Sequence, residues 1–182
     1  MSFIEINNSE LTTKLSQTAG AMQDTSPLTA AIAGSFVAVV DDNFAAQGRP
    51  IWAGRKPSTI KNYQRRGLSY GGVLQLSGAL RSRITSSSNR DSASIGSNMP
   101  YAAIQHFGGT IKHPGGTRYQ KGARLASFTN NRFTGPTSGV TGAHDIKIQP
   151  RPYMPMDEHG FLQPEAETEI FKDVDFYWKK FF

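Results

Sequence analysis

SPLTAAIAGSFVAVVDDNF, Ser26–Phe44, can be read as part of a membrane span or as the central helix of a water-soluble domain. Its most apolar window, LTAAIAGSFVAVV, is shorter than the roughly 20 residues that cross a bilayer and is rich in small side chains. Leu28, Ile32, Phe36, Val39 or Val40, and Phe44 recur at helical spacing on one face, the mark of a helix that packs one side against a core. Ser26 can cap this helix and Pro27 suits its first turn. The second reading is adopted, with Leu28, Ile32, Phe36 and Phe44 expected in the core.

Outward from this helix the signals are mostly short. Upstream, FIEI reads as a strand, and SELTTKLSQTAGAM as a helix with Leu11, Leu15 and Met22 on one side. Downstream, QGRPIWAG is a loop that places Trp52, and KPSTIKNYQRRG is a short basic helix between Pro57 and Gly67. Ser77 signals another helix start before Ala79, Leu80 and Ile84. RITSSSNRDSASIGS reads as two strands around the turn NRD. PYAAIQHFGG reads as a short helix begun by Pro100 and stopped by Gly108 or Gly109. Ile146 and Ile148 alternate in a strand, and three prolines then end it. The last helix, QPEAETEIFKDVDFYWKKFF, has early acids and late lysines that suit its dipole. Ile170, Phe171, Val174, Tyr177 and Trp178 form its apolar side, and Phe181 and Phe182 are expected to dock.

The 182 residues fit one domain, 1–182, with 109–145 as an extended loop insertion almost devoid of aliphatic side chains. The expected class is α+β: a small antiparallel sheet packed by helices, with a long protruding basic loop. The absence of cysteine excludes disulfides and thiolate metal sites. The first residues lack the apolar core of a signal peptide, so a soluble cytoplasmic product is expected.

Charge is unevenly spread. Residues 1–48 carry −4, 49–90 carry +9 with no acid, 109–151 carry +6 and 152–182 carry −4. An acidic partner is implied: nucleic acid, an acidic protein face, or the acidic ends of a neighbouring copy. Arg55, Lys56, Lys61, Arg65 and Arg66 form a candidate DNA-facing surface, with Trp52 and Tyr63 read as packing residues. In the 109–145 loop, Lys112, Arg118, Lys121, Arg124 and Arg132 are candidate contacts to partners or other copies. This loop is expected to be mobile in the free subunit and ordered by its neighbours. The competing reading is a hairpin folded through Ile111, Tyr119, Leu125 and Phe128.

Catalytic signatures are wanting. His106, His113, His144 and His159 lack the short paired spacing of a zinc site, although His113 and His144 can meet in space. GSFVA and QLSGAL do not match a serine elbow. GARLAS and GGTRYQKG do not match a phosphate-binding loop. No carboxylate pair stands out, and no RNA-recognition signature or zinc finger is present. No cofactor or metal is expected.

Several pieces in order resemble the phage virion morphogenesis family, the tail-completion proteins of tailed bacteriophages. They are Trp52 before a helix with Pro57 and Thr59; Leu74, Ser77, Gly78, Leu80 and Arg81; Tyr101, Ala102 and Gly108; and the finish Arg151-Pro152. His106 stands one place later than in the family pattern. Order and spacing carry the resemblance over roughly Thr25 to Met154; residues 109–145, longer than expected for the family, depart from it. The resemblance implies a non-enzymatic assembly protein at the head–tail junction: a ring of six copies that terminates the tail tube and docks to the head connector. It implies itself, tail-tube and neck proteins and passing genomic DNA as partners, with no membrane. It implies a place in the virion neck or tail and in host cytoplasm during assembly. Its structural residues are then Trp52, Ser77, Gly78, Leu80, Tyr101, His106, Gly108, Arg151 and Pro152. The alternatives are a minor capsid or head-completion protein, a basic nucleic-acid-binding protein, and a metal-dependent hydrolase using His113 and His144.

Overall fold

A computed structural model describes residues 9–119, 128–129, 132–133 and 139–181. The expected strand FIEI, the side chains of Lys121, Arg124 and Leu125, and Phe182 lie outside the described residues.

The described residues form six helices and short antiparallel strands, an α+β arrangement. Helix α1 spans Ser9–Gln23, and α2, Ser26–Ala45, is the helix of the opening stretch. At 20 residues α2 is longer than its apolar window foretells, and by length and composition alone it could cross a membrane. Its face Thr29, Ala33, Phe36, Val39, Val40, Asn43 and Phe44 is buried inside the protein, so packing explains its apolarity. Phe36 and Phe44 are buried as expected, whereas Leu28 and Ile32 are only half-buried. They occupy the first two turns, away from the main cluster, which gathers around the C-terminal half of α2.

That cluster joins Val40 and Phe44 to Trp52, Leu80, Ala102 and Tyr153. Phe44 meets the Trp52 ring edge-on at 5.5 Å and the Tyr153 ring at 5.5 Å. Burial of such rings is the chief favourable term in a core of this size. Helix α3 spans Pro57–Arg65 and α4 spans Ala79–Ser82. Gly78, with φ +73°, holds the left-handed conformation that starts α4 one residue after the predicted Ser77 cap. Strands β1 (Ile84–Ser88) and β2 (Ala93–Ser97) form the predicted hairpin, packed against α2. Asn89 drives its turn: its side-chain oxygen accepts from the backbone of Asp91 and Ser92, both at 2.9 Å.

Helix α5, Ala102–Phe107, ends at Gly108, whose φ of +75° and crowded approach to Pro150 suit glycine alone. Beyond it, β3 (Gly109–His113) pairs with β8 (His144–Ile148). Between them β4 (Arg118–Tyr119) pairs with β7 (Gly139–Val140), and β5 (Phe128–Thr129) with β6 (Arg132–Phe133). The pairs are nested, so the described residues of 109–145 are not the expected irregular loop. Their backbone pairing sets Ile111 opposite Ile146 and Phe128 opposite Phe133, as in a hairpin, but Ile111 is exposed, and Leu125 and the side chains of Tyr119 and Phe128 lie outside what is described. Backbone hydrogen bonding supplies here what aliphatic side chains do not. The single small sheet of the expectation is instead a set of two-stranded pairings among the described residues.

Helix α6, Pro164–Trp178, packs on α2. It buries Ala166 and Tyr177, and Ser35 of α2 donates to Asp173 at 2.7 Å. Phe171, expected on its apolar side, is 64% exposed, and Phe176 is 67% exposed. The buried and half-buried rows follow residues 166, 170, 173, 174 and 177, and at roughly 3.6 residues per turn Phe171 falls about 115° round the cylinder from their centre. Phe181 does dock, 5.5 Å from the Tyr177 ring.

Candidate functional site

The segment Arg151–Met156 threads past the core, and distant side chains clamp its backbone. The Trp52 indole donates to the Pro152 carbonyl at 2.9 Å. Arg151 donates to the carbonyls of Ala53 at 3.1 Å and Gly54 at 3.3 Å. The Tyr153 hydroxyl, pushed up to about 12 by burial, donates to Ala102 at 3.1 Å. Arg81, one residue after buried Leu80, donates to Asp41 of α2 at 2.6 Å. Thus Trp52, Leu80, Arg81, Arg151 and Pro152 support the core or bond the elements around it, while Ser77 and Tyr101 stay exposed beside it.

His106 belongs to the same clamp. It is 4% exposed, and its Nδ1 accepts from the backbone N–H of Tyr153 at 3.1 Å and of Met154 at 3.3 Å. That leaves Nε2–H to donate to the Met156 carbonyl at 3.0 Å. Burial lowers its pKa below the ordinary histidine value, so it is neutral at pH 7. With both ring nitrogens engaged, His106 is a structural fastener of the proline-rich segment.

A buried polar latch lies behind it. Asn43, fully buried, donates to the Tyr153 carbonyl at 3.1 Å and to the Gln163 side chain at 2.9 Å. Its own oxygen accepts from Arg49 at 2.9 Å, and Gln163 returns a bond to the Arg49 carbonyl at 3.2 Å. Sequence reading missed Asn43 because the helical stripe treats a polar residue as outward-facing.

In front of the clamp is a cleft of about 450 Å³. Its walls carry Arg55 and Lys56 before α3, Lys147 on β8, and Arg151. No acidic side chain lines it among the described residues. Arg55 is pinned: it donates to the carbonyls of Gly71 at 2.9 Å and of Gly72, with its guanidinium 4.8 Å from the Tyr70 ring. Lys56 donates to the Lys147 carbonyl at 3.3 Å. Burial, and then the like charge of Arg55, lower the pKa of Arg151. Between the cations the lining mixes apolar Val73, Leu74, Ile146 and Ile148 with polar Ser58, Thr59, Gln105 and Gln149. A recess lined by cations and by both apolar and polar side chains can hold carboxylates on hydrocarbon stems, or a phosphate.

Of the predicted basic residues, the structure brings Arg55 and Lys56 together with Lys147 and Arg151. Lys61, Arg65 and Arg66 stand exposed on α3. Lys112 is exposed on β3. Arg118 and Arg132 lie in β4 and β6, where only the backbone pairing is described. The rings of His113 and His144 do meet, stacked 4.8 Å apart. Gly115 N–H donates to His113, and His144 lies 3.0 Å from the Gly142 carbonyl. No cluster of three potential metal-binding side chains occurs among the described residues.

The model of the phage virion morphogenesis family matches residues 6–177. The chain belongs to this family. The match extends beyond the Thr25–Met154 span of the sequence motifs and encloses residues 109–145. Among curated proteins the chain is 38% identical over 177 residues to the Mu-like prophage FluMu G protein 2 of Haemophilus influenzae. That alignment covers 97% of this chain and 95% of the relative. No solved structure matches. Membership of the virion morphogenesis family makes this a phage virion assembly protein.

Proposed function

We propose that the protein closes the phage tail as a ring of identical subunits, six by the family resemblance, and offers a docking face to the head connector. The observation that carries this reading is α1. This helix of 15 residues buries none of them, and Leu11, Leu15 and Met22 are 61%, 59% and 66% exposed. A lone helix of that length is marginal in water, and an apolar stripe on its surface calls for a partner. Phe171 and Phe176 on α6 add exposed aromatic area, while the Tyr177 hydroxyl ties α6 to the Ala21 carbonyl at 3.1 Å. Apolar faces of this kind fit heterologous contacts, in which one side of a subunit meets a different side of the next. The exposed Lys61, Arg65 and Arg66 suit a diffuse positive field toward DNA passing through the ring.

The test is particle mass. Native mass spectrometry of the purified chain should give a discrete multiple of 19.9 kDa. Leu11→Asp/Leu15→Asp should dissociate it while leaving the subunit folded. A monomer at every concentration, and unaltered particle yield with that variant, would refute the ring.

A further inference from the structure

We infer that the cleft between α3 and β8 is the receptor for the acidic start of α6 from a second copy of this chain. The inference rests on the ring reading and names the contact that joins neighbouring subunits. Four basic residues line the cleft, and two of them, Arg55 and Arg151, are pinned by backbone carbonyls rather than by acids. Their charge is uncompensated among the described residues, and Arg151 already feels the repulsion of Arg55. Pre-oriented like charges in a recess are costly until an anion arrives, so the site is built for one.

The apolar part of the lining favours one kind of anion. Val73, Leu74, Ile146 and Ile148 suit the two methylenes of a glutamate stem, with its carboxylate reaching the guanidinium groups. A phosphodiester backbone has no such stem.

The same chain carries a matching element. Helix α6 opens with Glu165, Glu167 and Glu169. Glu167 is exposed, and neither Glu165 nor Glu167 forms an ion pair among the described residues. The cleft is lined by Arg55, Lys56, Lys147 and Arg151 with no acid among the described residues, and α6 opens with glutamates, so the two surfaces attract. Cleft and acidic turn are different surfaces, and their pairing runs head to tail, which is the geometry that closes a ring.

The chain has no cysteine, so engineered thiols report one contact cleanly. Copies carrying Lys147→Cys are mixed with copies carrying Glu167→Cys and treated with a short bis-maleimide. A covalent dimer should form in the mixture and fade as salt rises to about 1 M, where surface charge is screened within roughly 3 Å. A Ser87→Cys partner, placed on the β1–β2 hairpin, should give none. Independently, Lys56→Glu/Lys147→Glu and Glu165→Lys/Glu167→Lys/Glu169→Lys should each weaken self-association by about tenfold or more. Mixing the two variants should restore it, because each supplies the other's complement. Assembled particles of normal mass with no crosslink and no charge-swap rescue would overturn the contact and leave the ring standing. A chain that is monomeric and never crosslinks would overturn both. Protection of Lys147→Cys from maleimide by duplex DNA, but not by a second copy, would assign the cleft to nucleic acid and overturn the inference.

Discussion

Replacing Asn43 by alanine tests the latch that joins α2 to the proline-rich segment and to the start of α6. The side chain makes three bonds in a site with no access to water, to the Tyr153 carbonyl, Gln163 and Arg49. Two are ordinary hydrogen bonds worth about 1 kcal/mol each, and the one from a charged guanidinium is worth about 1.5–3 kcal/mol. Truncation leaves their partners unsatisfied in place, so the loss should be about 3–5 kcal/mol. For a chain of this size that is a fall in Tm of about 6–20 °C. Urea unfolding is to be followed on dissociated subunits, since assembly adds stability by mass action. An Asn43→Ala midpoint within about 0.5 kcal/mol of wild type would mean that the latch does not hold these elements together.

Acid should unfasten His106. Its folded pKa lies below its unfolded value because burial disfavours the imidazolium. Its contribution is therefore full above about pH 6.5 and is lost as pH falls through the lower folded pKa. Urea midpoints between about pH 7.5 and 5 should show that slope in wild type and a shallower one in His106→Gln; equal slopes would refute the assignment. Phe36→Ala empties a buried position on α2 and should cost about 3–5 kcal/mol, read from the same denaturation curves. An unchanged midpoint would place Phe36 outside the core.

Local chemistry is what the amino-acid order settles unaided here. Pro27, Pro57 and Pro164 mark helix starts, Gly108 stops α5, and Asn89 bends the β1–β2 hairpin, because each acts on backbone within a few residues. The ordered motifs Trp52, Leu80-Arg81, Tyr101-Ala102 and Arg151-Pro152 also suffice to place the chain in its family. Their purpose was not legible, since Trp52 and Pro152, or Arg81 and Asp41, become partners only when the chain closes. The same holds for the clearest misreadings. A helical stripe records which residues share a face, not whether a neighbour covers that face: Phe171 shares the sequence signature of Tyr177 yet faces outward. The 109–145 stretch lacks apolar side chains, but strand pairing draws on backbone groups that every residue carries, so composition could not forbid the nested ladders. Lys147 read only as part of a basic stretch, and Arg151 only as a motif residue, until the fold set them in one cleft with Arg55 and Lys56. A charge becomes a site only through its distance to other charges and to water, and folding alone sets that distance.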